Sequence, residues 1–309
     1  MRNNGQTMEI YQLRSFAAVA EVGHLTRAAE RLHISQPALS SQIKALEDEL
    51  GLALFERTPA GMALTSAGRR LLTQAQSVLS AAQALRHEAG ALRGEIAGTV
   101  RIGTLADPEF IRLGELLSLT LQKHPLIRVE LQHEVSGAAF QAVAAGELDG
   151  SFYYGETTHP SINRFPLREI AYRIAAPSAW SQQIATAGWK EIAALPWIIP
   201  PAISTHTQLV TALFRKHGLQ PEKFVEADHE AVVSSLVMSG LGLALMREDQ
   251  AWEKAARNQI CLWRDVRLVT TLQFIYLRER ESDPVINALL RLLKDIWASA
   301  PTRANGHGE

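Results

Sequence analysis

The stretch from Leu25 to Glu47 restricts the fold of this chain more than any other. Periodicity predicts a very short helix from about Thr26 to Leu32, a tight turn, and a second helix from Ser35 to Leu50 that Gly51 stops. Ala28 and Ala29 are small enough for another backbone to come close. Ser35 is placed to cap the second helix, and Pro37 is tolerated in its first turn because the amide hydrogen it lacks would be unpaired there. Leu39, Ile43, Leu46 and Leu50 recur on one side as the expected buried stripe. Two helices joined by a three-residue turn make a helix-turn-helix, whose second member lies in the major groove of DNA.

The flanks complete a small domain. Upstream, Ile10, Leu13, Phe16, Ala17 and Ala20 share a helical face that Gly23 closes. Downstream, Leu54 to Thr65 reads as two brief extended pieces around a Pro/Gly turn, a β-wing. Around the rest of the second helix stand Gln36, Ser40, Ser41 and Lys44, which repel phosphate little. Gln can pair bidentately with adenine and Ser can meet a base edge, so these are candidate readers, although a polar face opposite an apolar stripe is as often merely solvated. Thr26 and Ser35, at the two helix starts, join the candidate DNA contacts. Arg27, Arg31 and Arg57 are candidates for neutralising phosphates, which sets register without reading sequence. The net charge is only −1, but residues 1 to 93 carry ten Lys/Arg against eight Asp/Glu.

From Ser66 to Arg93 there is no proline, and Leu71, Ala75, Val78, Ala82, Leu85, Ala89 and Leu92 follow the 4,3 spacing of a coiled-coil seam. At 1.5 Å per residue such a helix is about 40 Å long, and its apolar stripe needs a partner. A homodimer is the expectation, against the alternative of a solvent-bridged connector.

After Gly94 strands alternate with helices. Strands are expected at Thr99–Gly103, Arg128–Glu134, Leu148–Tyr154, Ala171–Ala176, Trp197–Ile199, Gly242–Met246 and Thr271–Arg278. Between and after them come helices near 113–123, 136–145, 205–217, 231–239 and 284–297. That alternation predicts parallel sheets in βαβ units, where ligands sit at strand C-termini beside helix N-termini. Three places have that geometry: Thr104-Leu105-Ala106, Ser136-Gly137, and Ser204-Thr205-His206. Hydroxyls at helix starts are more often plain caps, but three together favour a ligand cleft. Phe152 or Tyr153 would wall it, alternation turning the other toward a helix. His206 is a candidate partner for a carboxylate. Domains are therefore expected at 8–65, 66–93 and 94–300, with 301–309 a disordered tail.

Composition narrows the class. The chain is 47% apolar and 20% charged, ordinary for a globular protein. One cysteine, Cys261, precludes an internal disulfide, and no Cys/His cluster has zinc-ligand spacing. Residues 1 to 8 lack the apolar centre of a secretory signal, and no apolar run approaches ~20 residues, so a cytoplasmic protein without membrane contact is expected. Organised periodicity begins at Ile10, which leaves Met8 as a candidate start. No phosphate-binding glycine loop, Gly-x-Ser-x-Gly elbow or metal-binding His pair occurs, so an enzyme is not expected, nor any cofactor or metal. A stand-alone solute-binding protein would need only the second half.

The run Ala28-Ala29-Glu30-Arg31-Leu32, Ser35 to Ser40, Leu46-Glu47, Leu50-Gly51, Leu54-Phe55-Glu56-Arg57 and Leu64-Thr65-Ser66-Ala67-Gly68 resembles the LysR-type family of transcriptional regulators. The resemblance extends from Met8 to about Trp297. It implies an all-α winged helix-turn-helix, a long linker helix, and an α/β two-lobed, periplasmic-binding-protein-like effector domain. Lobe one would take about 98–163 and 271–297, and lobe two about 164–270, with two crossing strands as the hinge. The implied function is sequence-specific regulation of transcription from an inverted-repeat operator on double-stranded DNA, with base and backbone contacts at Gln36, Pro37, Ser40 and Ser41, modulated by a small-molecule effector. Dimers pairing to a homotetramer, and RNA polymerase as a further partner, belong to the same expectation. The sequence departs from the family pattern in three places. Ser41 stands where many relatives have arginine, Ala60 and Gly61 stand where wing tips are often basic, and Met246-Arg247 replaces a usual Leu-Pro. A two-cysteine redox switch, as in some relatives, has no second cysteine here.

Overall fold

The computed structural model describes residues 8–59, 61–105 and 107–298. Its contacts divide the chain into two compact units, with the main break between Arg93 and Gly94.

The first unit contains α1 (Ile10–Val22), α2 (Leu25–Arg31), α3 (Gln36–Leu50), β1 (Phe55–Thr58), β2 (Gly61–Leu64) and α4 (Ser66–Ala91). Local chemistry sets each boundary. Gln12 Oε1 accepts the Glu9 amide at 2.8 Å in a capping box that opens α1, and Gly23 ends it at φ 70°. Ser35 Oγ accepts the Ala38 amide at 3.3 Å, Pro37 sits in the first turn, and Gly51 closes α3 at φ 65°. Thr65 Oγ1 accepts the Gly68 amide at 2.9 Å to start α4. Gly68 must be glycine, because a Cβ there would lie 2.1 Å from the Leu54 carbonyl oxygen.

Leu13, Phe16, Val19, Ala28, Ala29, Leu39, Ile43, Leu46 and Leu54 form this unit's core. Each large side chain so buried contributes roughly 1.5–3 kcal/mol. Leu50 departs from the expected stripe and stays 37% exposed, in the last turn before the left-handed glycine turns the chain away. Leu71 and Ala75 pack onto the same core, so the first turns of α4 act as a wall of this domain.

The second unit runs β3 (Gly98–Thr104), α5 (Leu113–Lys123), β4 (Ile127–His133), α6 (Ser136–Ala144), β5 (Gly150–Tyr154), β6 (Ile162–Pro177), α7 (Ser181–Thr186), α8 (Trp189–Ala194) and β7 (Pro196–Ile199). It continues with α9 (Thr205–Arg215), β8 (Glu222–Glu226), α10 (Glu230–Met238), β9 (Ala244–Arg247), α11 (Glu248–Ala256), β10 (Ile260–Leu277) and α12 (Pro284–Ala298). Six strands form one sheet in the order β4-β3-β5-β10-β6-β9, and β7 pairs with β8.

The sheet is mixed, which corrects the expectation of parallel pairing. β3 is parallel to β4 and β5, but β10 is antiparallel to both β5 and β6, and β9 is antiparallel to β6. The reason lies in β6 and β10, 16 and 18 residues long. One leaves the first lobe for the second, the other returns beside it, and a strand that returns beside its partner must be antiparallel to it. The expected pieces Ala171–Ala176 and Thr271–Arg278 are each one part of these strands, and the expected lobe boundaries fall within them. α7, α8, α11 and β8 were not foreseen. The helices span only six to nine residues, and all of β8 but Val225 is exposed, so none shows a sustained apolar period.

In the first lobe Val100, Ile102, Phe152, Phe274, Val285, Leu289 and Leu293 pack between sheet and helices, and in the second Trp197, Phe214 and Trp263 do so. A buried ionic group pins the first lobe. Arg280 pairs with Asp149 and, at 2.6 Å, with Asp283, while Arg101 Nη2 meets Asp149 at 3.1 Å. Asp283 also accepts the Val285 amide at 2.9 Å and thereby caps α12.

Candidate nucleic-acid interface and ligand cleft

The helix-turn-helix presents its candidate residues on one side. Thr26 and Arg27 on α2, Ser35 at the cap, and Gln36, Pro37, Ser41 and Lys44 on α3 are all exposed, and Ser40 is half-buried. Leu39, Ile43 and Leu46 anchor the opposite face of α3, so the polar side cannot rotate inward without emptying the core. Ser15 Oγ additionally donates to Gln42 Oε1, fixing α3 against α1. Arg31 is exposed and holds Glu21 at 2.7 Å, an ion pair that phosphate would have to displace.

The wing is tied to this frame by backbone and carboxylate contacts. Glu47 Oε1 accepts the Leu54 and Phe55 amides at 2.7 and 3.2 Å, and the Met62 amide donates to the Gly23 carbonyl at 2.7 Å. Gly61, at φ 126°, passes so close to Gly23 that a Cβ would lie 2.4 Å from its carbonyl oxygen. Arg57 lies opposite Met62 in the hairpin with its side chain exposed. Ala60 lies outside the described residues.

Along α4 the seven seam positions divide. Leu71 and Ala75 are packed in the helix-turn-helix core, whereas Val78, Leu85 and Leu92 are 43%, 72% and 81% exposed. Ala82 is half-buried and Ala89 exposed.

In the second unit two of the three candidate ligand places meet. Ser136 Oγ accepts the Tyr154 amide at 3.4 Å, and Thr205 Oγ1 donates to the Tyr154 carbonyl, so the starts of α6 and α9 meet at the end of β5. Gly137 lies so close to Ile203 that a Cβ would be 2.2 Å from its carbonyl oxygen. Ser204 Oγ accepts the His206 amide at 3.3 Å as an N-cap. Thr104 is buried and donates weakly to the Gln132 carbonyl at 3.4 Å, and Leu105 is buried in the core. Ala106 lies outside the described residues. Phe152 is fully buried, its ring edge-on to Phe274, and Tyr153 packs against Phe140. The hydroxyls at these helix starts thus hold the protein's own backbone.

Seven residues that the sequence reading did not propose as ligand contacts lie in or beside the cleft. Tyr154 and Tyr172 flank the His206 ring at centroid distances of 6.1 and 4.6 Å. Burial, with the positive charge of Arg247 adding to it, holds the His206 imidazole down to about 4, so at neutral pH it offers no charge to a carboxylate. Arg247, at the end of β9, has a buried side chain that meets Asp107 at 2.8 Å, Asp249 at 2.7 Å and Glu230 at 3.4 Å. Burial acts against its charge, but the hydrogen bond to Asp249 and the charge of Glu230 outweigh it and raise its pKa. Burial raises Glu230 above the usual carboxylate range, although Arg247 acts in the opposite direction. The guanidinium lies 3.6 Å from the centre of the Phe110 ring. Asp107 follows β3 in the first lobe and Arg247 ends β9 in the second, so this pair spans the two lobes. Its signal in the sequence was the Arg247 departure from the family pattern, which names an unusual residue without naming its partners.

Among the described residues no helix is long and apolar enough to cross a membrane, and no group of three or more His, Cys, Asp or Glu is placed to hold a metal ion. Cys261 donates to the Pro177 carbonyl at 3.1 Å, and burial pushes its thiol up, away from the reactive thiolate.

Comparison with known proteins agrees with this division. Residues 10–69 match the bacterial regulatory helix-turn-helix protein model of the lysR family, and residues 93–298 match the LysR substrate binding domain. The HTH-type transcriptional regulator IlvR of Caulobacter vibrioides is 32% identical over 93% of this chain and 98% of its own length. BenM of Acinetobacter baylyi, also an HTH-type transcriptional regulator, is 28% identical over 94% and 97%. In fold, a full-length OxyR variant from Pseudomonas aeruginosa superposes with a TM-score of 0.66 at 21% identity, covering 94% of this chain and 95% of that one. A head that exposes the polar side of its second helix and a two-lobed α/β domain with a helix-lined cleft thus occur here in one polypeptide, and that polypeptide belongs to the LysR family of DNA-binding transcriptional regulators, which carry an effector-binding domain.

Proposed function

We propose that residues 8–65 read an inverted-repeat operator, that 66–93 pair two protomers, and that 94–300 sense a small molecule between the lobes. The observation that carries this reading is α3 itself, whose Gln36, Ser41 and Lys44 are exposed while Leu39 and Leu46 are wholly buried on the other side. Gln36, Ser40, Ser41 and Lys44 read base edges, Arg27, Arg31 and Arg57 neutralise phosphates, and Thr26, Ser35 and Pro37 complete the DNA contacts. With serine at position 41, that place contributes hydrogen bonding without the phosphate attraction of an arginine.

Pairing of α4 helices places two α3 helices on successive major grooves, and pairing of sensing domains extends the dimer to a tetramer. Effector binding shifts the spacing of the heads with a coupling of about 1–3 kcal/mol. The protein acts in the cytoplasm on the nucleoid, as a regulator rather than a catalyst, with RNA polymerase as the receiving partner. Electrophoretic retardation of the DNA upstream of its own gene at low salt tests the reading. A retarded, footprinted inverted repeat is expected, and failure to retard any such fragment would overturn it.

A further inference from the structure

The cleft is lined by Tyr172, His206, Asp228, Glu230 and Arg247. Three carboxylates, Asp107, Glu230 and Asp249, hold the single Arg247 guanidinium. When all are ionised, the group carries an excess of negative charge that a simple anion would increase. Burial already works against the charge on Glu230, which a cation at this place would relieve. An independent observation is the Tyr172 hydroxyl. Tyr172 is 1% exposed, lines the cleft, and has a hydroxyl without a hydrogen-bond partner among the described residues. Buried polar groups are rarely left so, and one that faces a cleft marks a place where a ligand supplies the missing bond.

We propose that the cleft takes a small zwitterion, whose carboxylate replaces Asp107 on Arg247 and whose ammonium is received by the freed Asp107 together with Glu230. This rests on the two-lobed domain being the effector-binding domain. The exchange adds no net charge to a buried site, which a lone carboxylate or a lone amine cannot achieve. It is also geometrically apt. Phe110 covers one face of the guanidinium, leaving its in-plane edges, now held by carboxylates, for bidentate recognition. Because Asp107 belongs to the first lobe and Arg247 to the second, inserting a molecule between them changes how the lobes are joined, and the protein responds through that difference.

Isothermal titration of the full-length protein with leucine, phenylalanine and glutamine, each beside its des-amino carboxylate and its decarboxylated amine, tests the proposal. At least one amino acid is expected to bind ten times more tightly than both its truncated counterparts. Arg247→Lys, which keeps the charge, is expected to lose at least tenfold of that affinity while its circular dichroism spectrum stays that of the unaltered protein. A des-amino carboxylate that binds as tightly as its amino acid would overturn the zwitterion and leave the cleft as the effector site. Undiminished binding by Arg247→Lys would overturn the role of Arg247. No binding by any of the three classes would overturn both the proposal and the reading beneath it.

Discussion

Glu47, in the third helix, accepts the Leu54 amide at 2.7 Å and so joins that helix to the wing that follows it. Leu54 is wholly buried, so its amide has no water to replace this partner. Glu47→Ala is expected to destabilise the head by about 1–3 kcal/mol, the cost of an unsatisfied buried donor. Hydrogen exchange of the Leu54 amide in the full-length protein checks it, and unchanged protection would contradict the account.

Gln36 is exposed in the first turn of its helix and has no role in the core. Gln36→Ala is therefore expected to leave the melting temperature unchanged and to cost about 1–3 kcal/mol of operator affinity, concentrated at one base position. Competition with mutated operators measures this. Equal losses on every sequence would show a backbone contact instead.

Leu85 and Leu92 are 72% and 81% exposed on α4, whereas Leu71 is occupied within its own head. The proposed pairing surface thus begins about two turns later than the heptad pattern alone suggests. Leu85→Asp should weaken association by several kcal/mol, since a leucine is lost and a charge added in each protomer. Sedimentation should then report monomers, and an unchanged mass would rule out the seam.

Asp149 is 1% exposed and holds both Arg280 and Arg101. Asp149→Ala takes one of two carboxylates from the buried Arg280 guanidinium and leaves Asp283 alone to balance it, and a loss of about 3–5 kcal/mol is expected. Denaturant titration of the full-length protein reads it. A loss below 1 kcal/mol would mean that Asp283 alone satisfies Arg280.

His206 titrates at about 4 in the folded protein because of its burial and the nearby Arg247, against 6.5 for the free side chain. Between those values the unfolded chain binds the proton and the folded one does not. The stability associated with neutral His206 is therefore complete above pH 6.5 and is lost as pH falls toward 4, by up to about 3 kcal/mol. His206→Asn should flatten unfolding free energy against pH in that window. An equally steep variant would place the acid sensitivity elsewhere.

The sequence by itself determined the helix-turn-helix, because that motif is local. The spacing of Leu39, Ile43 and Leu46, the Ser35 cap and the Gly23 and Gly51 stops act within a few residues of where they stand, and the structure shows each of them. It also pointed to the helix starts at Ser136 and Thr205. Only the tertiary structure decided what those starts enclose. Tyr154 and Tyr172 come from different strands, and Asp107 and Arg247 are 140 residues apart, so no periodicity links them. Likewise, the division of the α4 seam depended on which leucines the head's own core would claim. Hydrogen bonds of capping and turn geometry are short-range and leave a sequence signature, while charge pairing and packing across a mixed sheet depend on topology, which separates partners along the chain as freely as it joins them in space.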